Sequence, residues 1–439
     1  MLVRKGLTTA IFLLLLGALL PISAPGSGSI CADSGTELDL LHGEVLIYVK
    51  ADNDITSFFN VTWAVPPNYE NQAPVLIDVR NDTSADVLGW DVINDTNPPN
   101  KVLKFLISPL RKGEQVSIHF DYFVLVKNKR YEDLPDHVKI PTEDELPDDT
   151  KIWLASTKAI QSDNALIKLK AFALRYKSDD LTQLAENIVK YTSSPKIVRV
   201  MFWQLALIFG YLTNLFFHGE SWQWAKYSDA VSSLFFGGRC TGRANLGTAL
   251  FRANGVPAKD LIVTPVSTGK NFWFQAHYMC EYYCPDYGWV PAETTLGITP
   301  YEPKNYIILR VNYPKDENLA GNGNDYYGGC EPWFWIDNAN ARVWWLPKSG
   351  TRGWLEKGIT TNPDKADLAF NLTQNVYELH VRCMGMNLSG EDLLHFDSAI
   401  SAQKNAIECF KQSDITGYLN NMTIAYNEYR EIICSPDNP

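Results

Sequence analysis

The first third of the chain alternates short apolar runs with clusters of turn-forming residues. The β-rich runs cover residues 44–49, 57–65, 75–79, 87–93, 102–107 and 116–126. Turn residues separate them, as in the Asn-Pro-Pro-Asn of residues 97–100. Short strands with regular turn signals are typical of a β-sandwich. The pattern therefore predicts a β-sandwich domain over residues 38–130.

Beyond residue 160 the apolar positions take the spacing of helices, and later that of strands again. Helices are predicted at residues 165–176, 181–191 and 241–254, and strands at 261–265, 272–283, 289–292 and 306–311. Ser162 and Asp163 are the expected N-cap of the first helix. This order of elements predicts a mixed helix and strand core over residues 151–311.

Residues 312–439 are predicted to be a C-terminal extension that ends in helices. Residues 375–383 favour a strand, and residues 391–433 favour a helical pair broken near 414–417. The predicted fold class is therefore α+β, with an N-terminal β-sandwich, a mixed core and a C-terminal helical appendage.

Composition and charge exclude several classes of protein. Hydrophobic residues make up 46% of the 439, which is enough for a large core and excludes extended disorder. The net charge of −11 gives the chain no general attraction for nucleic acid or anionic lipid, so we expect no nucleic-acid partner. Eight cysteines are too few for a disulfide scaffold.

The N-terminus has the features of an export signal. Arg4 and Lys5 precede an apolar run at residues 11–20, and small residues follow Pro21. Because a membrane span needs roughly 20 apolar residues, we prefer a signal peptide over residues 1–29 to an uncleaved anchor helix. A secreted or cell-surface glycoprotein agrees with six Asn-x-Ser/Thr sequons, at Asn60, Asn81, Asn94, Asn371, Asn387 and Asn421.

A second apolar run, at residues 200–217, has two interpretations. Its length is at the limit for a membrane span, but Gln204, Thr213 and Asn214 interrupt it. We therefore predict a buried helix of the core, and no stable membrane span in the mature chain.

Three residues in separate segments suggest acyl-transfer chemistry. Cys240 follows two glycines at the start of a predicted helix, where free N–H groups, the helix dipole and Arg239 favour the thiolate. His277 lies on a predicted strand, and Glu293 ends the next strand of the same hairpin. An antiparallel pair can bring these two together, so that the imidazole takes the thiol proton and the carboxylate orients the ring. Alone, each residue is more often structural; the ordered set predicts a Cys–His–acid triad.

The sequence around these residues resembles the transglutaminase-like superfamily, in its microbial exported branch. The family's Leu-x-Arg-Ala-x-Gly-Ile-Pro-Ala-Arg reads Leu-Phe-Arg-Ala-Asn-Gly-Val-Pro-Ala-Lys at residues 250–259. Its His-x-Trp-x-Glu reads His-Tyr-Met-Cys-Glu at 277–281, and its Gly-Trp-Val-Pro-Val-Asp-Pro-Thr reads Gly-Trp-Val-Pro-Ala-Glu-Thr-Thr at 288–295. The resemblance covers residues 151–300. It implies a papain-like core whose catalytic residues are Cys240, His277 and Glu293.

The resemblance also implies a function. We expect a cysteine peptidase or amidase that acts on a protein or peptide substrate through a thioester on Cys240. The alternatives are a transamidase (transglutaminase), which passes the acyl group to an amine, and a catalytically inert binding module on the same fold. Two departures bear on activity: Glu293 replaces the family's usual Asp, and Met279 replaces its usual Trp. No cofactor is expected, and the oligomeric state is open.

The other cysteines have two interpretations. Cys280 and Cys284 lie on one predicted strand, about 13 Å apart if it is extended, so they do not pair with each other there. Cys330 is a candidate partner for either, and Cys409 with Cys434 is a candidate disulfide between the C-terminal helices. A zinc site of Cys280, Cys284 and Cys330 lacks the usual Cys-x-x-Cys spacing, so we expect no metal.

Overall fold

A computed structural model describes residues 35–434, apart from residues 130, 132–133, 136, 177–178, 195–228, 268–271, 275 and 318–332. The predicted leader, the apolar run at residues 200–217 and Cys330 therefore lie outside the described residues. Within the described part of the chain, no helix is long and apolar enough to cross a membrane.

The described residues form the following strands and α-helices. The strands are β1 (Thr36–Ala51), β2 (Phe59–Val65), β3 (Gln72–Val79), β4 (Val87–Asn94), β5 (Lys101–Ile107), β6 (Gln115–Lys127), β7 (Ala258–Pro265), β8 (His277–Cys284), β9 (Gly288–Ala292), β10 (Tyr306–Val311), β11 (Phe334–Ile336), β12 (Ala341–Val343) and β13 (Gly350–Thr361). The helices are α1 (Asp148–Lys151), α2 (Ala165–Arg175), α3 (Leu181–Ser193), α4 (Ala230–Phe236), α5 (Cys240–Ala253), α6 (Pro314–Glu317), α7 (Pro363–Met384), α8 (Glu391–Lys411) and α9 (Ile415–Cys434).

Two antiparallel sheets form a sandwich from strands at both ends of the chain. One sheet has the order β12–β1–β6–β3, with β13 also pairing with β1, and the other has the order β11–β2–β5–β4. Buried side chains of both sheets, among them Ile47, Trp63, Phe105 and Phe120, belong to one apolar core. The six strands predicted between residues 44 and 126 are confirmed, and strands of residues 334–361 complete both sheets.

Helices α7, α8 and α9 pack on one face of the first sheet. Their buried side chains form a second apolar cluster with Leu38 and Leu40 of β1 and Leu125 of β6. Because β1 is covered by the sandwich core on one face and by these helices on the other, its residues 38–45 are buried on both faces. The predicted helical pair is confirmed in α8 and α9.

The predicted strand at residues 375–383 is wrong, because these residues lie inside α7. Val376, Tyr377, His380 and Val381 are buried, and this spacing of three and four residues is that of one helix face. The side chain of Asn362 caps the helix by accepting a hydrogen bond from the Lys365 N–H. The β-branched and aromatic residues that suggested a strand therefore serve helix packing.

The core contains a four-stranded antiparallel sheet with the order β10–β7–β8–β9. Helix α5 packs on β7 and β8, and α2, α3 and α4 pack around α5. The helices and strands predicted here are confirmed with small shifts at their ends. The N-cap of α2 is Asn164, whose side chain accepts a hydrogen bond from the Leu166 N–H, rather than Ser162 or Asp163. The predicted α+β fold is thus confirmed.

A buried hydroxyl cluster joins the sandwich to the core. Tyr122 of β6 lies over Gly43, where a Cβ atom would lie 1.8 Å from the ring. Its hydroxyl is 2.5 Å from Thr264 Oγ1 of β7 and 3.0 Å from Thr351 Oγ1 of β13, and the two threonine oxygens are 2.7 Å apart. Three strands distant in sequence therefore meet at fully satisfied polar atoms.

A fully buried ion pair holds the C-terminal end of α5. Arg252 Nη1 and Nη2 donate to Glu317 at 2.8 and 2.7 Å, and both side chains are 0% exposed. The same guanidinium donates to the carbonyl oxygens of Ala155 and Ala258 at 2.8 and 2.9 Å. Arg252 thereby fixes α5 against both the start of β7 and the segment after β10.

We predict that Arg252→Met lowers the free energy of unfolding by about 3–5 kcal/mol, because it leaves the Glu317 carboxylate buried without its cation. Urea denaturation followed by circular dichroism measures this. The double variant Arg252→Met/Glu317→Met should recover much of the loss, since no charge stays buried. Arg382→Met, at an exposed position of α7, is the control. A double variant as unstable as Arg252→Met alone would contradict the charge argument.

Candidate active site

Cys240 is the first residue of α5, and two glycines bring the chain back tightly from α4. Gly237 follows α4 with φ 63°, a conformation that favours glycine. At Gly238 a Cβ atom would lie 2.5 Å from the Cα atom of Gly242, so a side chain there would collide with α5. The turn leaves Arg239 as the N-cap, without a side-chain cap, and Cys240 at the positive end of the helix dipole.

Close packing of α5 on the sheet brings its residues near the end of β9. At Gly247 a Cβ atom would lie 2.6 Å from Thr294 Cγ2 and 3.6 Å from Cys280 Sγ. Only glycine permits this approach. It seats α5 directly on β8 and on the residue that follows Glu293.

His277 is the first residue of β8, and the segment before it is held by β13. Phe274 exchanges two backbone hydrogen bonds with Thr351, of 2.8 and 2.7 Å. The Arg352 guanidinium lies 4.5 Å from the centre of the Trp273 ring. The predicted strand at residues 272–283 is therefore shorter than expected, since regular pairing with β7 begins only at His277.

Glu293 follows β9 directly, and its carboxylate is held at both oxygens. Oε2 is 2.6 Å from His277 Nε2, and Oε1 accepts the backbone N–H groups of Thr295 and Leu296 at 2.7 and 3.4 Å. The Glu293 side chain is 2% exposed and that of His277 19% exposed. The turn of residues 293–298 folds back beneath the carboxylate, with the Gly297 N–H donating to the Glu293 carbonyl oxygen at 2.8 Å.

Cys240 and His277 form a hydrogen-bonded pair of side chains. Burial by itself raises the pKa of Cys240, but the hydrogen bond and charge of His277, together with the N–H groups of Tyr278 and Thr241, outweigh it and lower that pKa. Burial by itself lowers the pKa of His277, but the hydrogen bonds with Cys240 and Glu293 raise it to about 10. The two shifts favour a thiolate–imidazolium pair at neutral pH.

All three residues predicted from sequence thus lie together, in the order Cys240, His277, Glu293. Because Glu293 occupies Nε2 of the ring, Nδ1 is the nitrogen that faces the thiol. This arrangement suits attack of sulfur on a carbonyl carbon, with the imidazole as proton carrier. Trp222 and Trp224, which precede Cys240 in sequence, lie outside the described residues.

The sequence did not point to Arg243, which lies one helical turn after Cys240. Its Nη1 donates to the Thr295 carbonyl oxygen at 2.8 Å, on the turn whose N–H group binds Glu293. The i, i+3 spacing from Cys240 was the only signal in the sequence. The sequence also did not predict that the N–H groups of residues 295 and 296 bind the Glu293 carboxylate, because backbone donors in a turn have no sequence pattern of their own.

The remaining described cysteines are unpaired and differ chemically from Cys240. Cys409 and Cys434 are free thiols, so the disulfide suggested between the C-terminal helices is absent, and Cys280 and Cys284 are free as well. Burial raises the pKa of Cys280 well above its usual value, that of Cys284 to about 11 and that of Cys383 to about 12. Among the residues that the structure describes, no group of three His, Cys, Asp or Glu side chains forms a metal site.

A family model described as "Transglutaminase-like superfamily" matches residues 208–294, a segment that includes Cys240, His277 and Glu293. The chain carries a transglutaminase-like domain. The resemblance inferred from the motifs at residues 250–259, 277–281 and 288–295 is therefore confirmed. No curated protein matches the chain.

Two solved structures are similar to the chain that carries this transglutaminase-like domain. One is a candidate cysteine protease from Cytophaga hutchinsonii, at 13% identity and a TM-score of 0.43, covering 74% of this chain and 98% of its own. The other is the periplasmic domain of TgpA from Pseudomonas aeruginosa, at 13% identity and a TM-score of 0.23, covering 57% and 93%. Likenesses of this size do not bear on what the present chain does.

We predict that iodoacetamide at pH 6 labels Cys240 before any other described cysteine, because its lowered pKa keeps more thiolate in acid than an ordinary thiol near pKa 8.5 has. Peptide mapping by mass spectrometry gives the order of labelling. Raising the pH to 9 should reduce this preference, since an ordinary thiol with a pKa of about 8.5 then also reacts as the thiolate. His277→Ala should remove the preference at pH 6; earlier labelling of Cys383 or Cys434 in the native protein would contradict it.

Proposed function

We propose that this chain is an exported cysteine-dependent amide hydrolase that acts on proteins or peptides through a thioester on Cys240. The observation that carries the proposal is the Cys240–His277–Glu293 chain of hydrogen bonds, with 2.6 Å between His277 Nε2 and Glu293 Oε2. The transglutaminase-like domain around it supports acyl transfer as the class of reaction.

In the first half of the reaction, the Cys240 thiolate attacks the carbonyl carbon of the amide, and the new S–C bond pushes an electron pair onto the carbonyl oxygen. The tetrahedral intermediate then collapses to a thioester and the C–N bond breaks. The His277 imidazolium gives its Nδ1 proton to the leaving amine. Glu293 keeps the ring oriented and stabilises its charged form.

In the second half, neutral His277 accepts a proton from water while the water oxygen attacks the thioester. The C–S bond breaks, the carboxylic acid leaves, and the thiolate–imidazolium pair is restored. An amine in place of water would make the same site an acyltransferase. Hydrolysis needs no binding site for an amine acceptor, because water is present everywhere. We therefore rank hydrolysis before transfer to an amine.

The pH range of activity follows from the two pKa shifts. Below the lowered pKa of Cys240 the thiolate is lost, and above a pKa of about 10 His277 no longer carries the proton for the leaving amine. The acid limb of activity should therefore lie at lower pH than for an ordinary thiol, and activity should extend into clearly alkaline pH.

We predict that Glu293→Gln lowers kcat by about 10²–10⁴-fold, because the ring loses the charge that orients it and stabilises the imidazolium. Since Glu293 raises the pKa of His277, its loss should also move the alkaline limb of the pH–rate profile to lower pH. His277→Ala should abolish acyl transfer. Full activity in the Gln variant, with an unshifted alkaline limb, would remove Glu293 from the mechanism.

Casein incubated with the protein, with and without the amine probe dansylcadaverine, distinguishes the functions. We expect new peptide termini or hydrolysed side-chain amides in both samples, and none with Cys240→Ala. Incorporation of the probe at the expense of hydrolysis would identify a transamidase. An unreactive Cys240 in a folded protein would identify an inert module.

Export of the protein to the cell surface or medium is also part of the proposal. The basic and apolar leader and the six sequons support it, and the sequon residues Asn81, Asn94, Asn371 and Asn387 are exposed. We expect N-terminal sequencing of the exported protein to begin near the end of the predicted leader, residues 1–29. Recovery of an intact Met1 end on secreted protein would contradict cleavage.

A further inference from the structure

We propose that Arg243 and Thr295 form a subsite beside Cys240 that binds a carboxylate of the acyl donor, so that the enzyme selects acidic substrates. This inference rests on the proposed function, because it assigns the substrate class of the same site. The chemistry is that of an anion recognised by a guanidinium and a hydroxyl donor.

The position of Arg243 is fixed at both ends. Its backbone lies in α5 one turn after Cys240, where side chains three residues apart lie on the same face of a helix, about 5–6 Å apart at Cβ. Its Nη1 atom donates to the Thr295 carbonyl oxygen at 2.8 Å, on the turn that holds Glu293. The guanidinium is therefore anchored between the nucleophile and the acid, and is not a freely moving surface group.

Within the described residues, two donors at this point have no hydrogen-bond partner. Arg243 Nε and Thr295 Oγ1 are both buried and make no hydrogen bond, although their residues are joined to each other. Buried donors in folded proteins nearly always have partners, so an unsatisfied pair of neighbours indicates a place for an acceptor. A carboxylate, with two oxygens and several lone pairs, can accept from both.

The charge at this point is also unbalanced. In the described part of the chain no Asp or Glu oxygen lies within ion-pair distance, 4.0 Å, of Arg243, which is only half-buried. Burial lowers the pKa of Arg243, and among the residues that the structure describes the charges of Cys240 and Glu293 raise it. When Cys240 becomes a neutral thioester, one of these two anions disappears. A carboxylate on the bound acyl group then places a new anion beside the Arg243 guanidinium, which has lost the thiolate as a neighbour.

The experiment compares two alkylating reagents of similar size on the full chain. Iodoacetate is an anion and iodoacetamide is neutral, so the ratio of their rates at Cys240 reports a nearby cation. Arg243→Gln should lower the iodoacetate to iodoacetamide ratio by about three- to tenfold at low salt, the range for unit charges about 6 Å apart in a partly solvated site. Arg243→Lys should retain most of the ratio, and added salt should reduce it in the native protein.

Arg239→Gln is the matched control, because Arg239 is the exposed arginine next to Cys240. A fall of the ratio in Arg239→Gln but not in Arg243→Gln would overturn the proposal. So would an equal change of both rates in Arg243→Gln, which would mean that Arg243 only stabilises the thiolate. If Cys240 of the native protein reacts with neither reagent, the proposed function fails instead.

A pair of acyl donors tests the subsite during acyl transfer. Succinyl and butyryl thioesters of N-acetylcysteamine differ in a terminal carboxylate, and each transfers its acyl group to the Cys240 sulfur with release of the free thiol. Intact-mass measurement gives the acylation rates. We expect the native protein to prefer the succinyl donor several-fold and Arg243→Gln to lose the preference. Thr295→Val should reduce it, while equal preference in all three proteins would refute the subsite.

Discussion

The candidate active site depends on how closely α5 approaches the sheet. Gly247 lies where any Cβ atom would meet Thr294, so the helix lies directly on β8 and on the residue after Glu293. At the helix start, Gly238 lets the turn that precedes Cys240 lie against Gly242 of the helix itself. Because interiors are close-packed, a shift of α5 by one methyl diameter would move Cys240 away from a ring that β8 and Glu293 hold in place. Two small residues thus fix the distance on which the chemistry relies.

The acid of the triad shows how a longer side chain is accommodated. Glu293 is one methylene longer than the family's usual Asp, and the turn of residues 293–298 binds its far oxygen through backbone N–H groups. Those donors stabilise the ionised carboxylate and restrict its rotamers. The longer Glu293 side chain is therefore held in one position despite its extra methylene. Arg243 takes part indirectly, since it holds the carbonyl oxygen of the same turn.

Much of the fold could be predicted because its signals are local. The strands of residues 44–126, the helix that begins at Cys240 and the order Cys240–His277–Glu293 all follow from short patterns. Two features of the fold could not be predicted from the sequence, because they depend on contacts with distant parts of the chain. Residues 375–383 have β-rich composition, and their packing against the first sheet and against α9 favours a helix. Strand β13 pairs with β1 across more than half the chain, a pairing that no local pattern contains.

That pairing has a consequence for how the molecule is made. Thr36 pairs with Thr361 and Leu46 with Gly350, so one edge of the first sheet is supplied by the last of the described strands to be synthesised. Until then, β1 presents an unpaired edge of N–H and C=O groups along about two thirds of its length, the kind of edge that recruits other chains. The transglutaminase-like domain, placed in sequence between the two partners, can complete its own sheet earlier. A nascent or truncated chain that ends before β13 is therefore exposed to aggregation at β1 rather than at the transglutaminase-like domain.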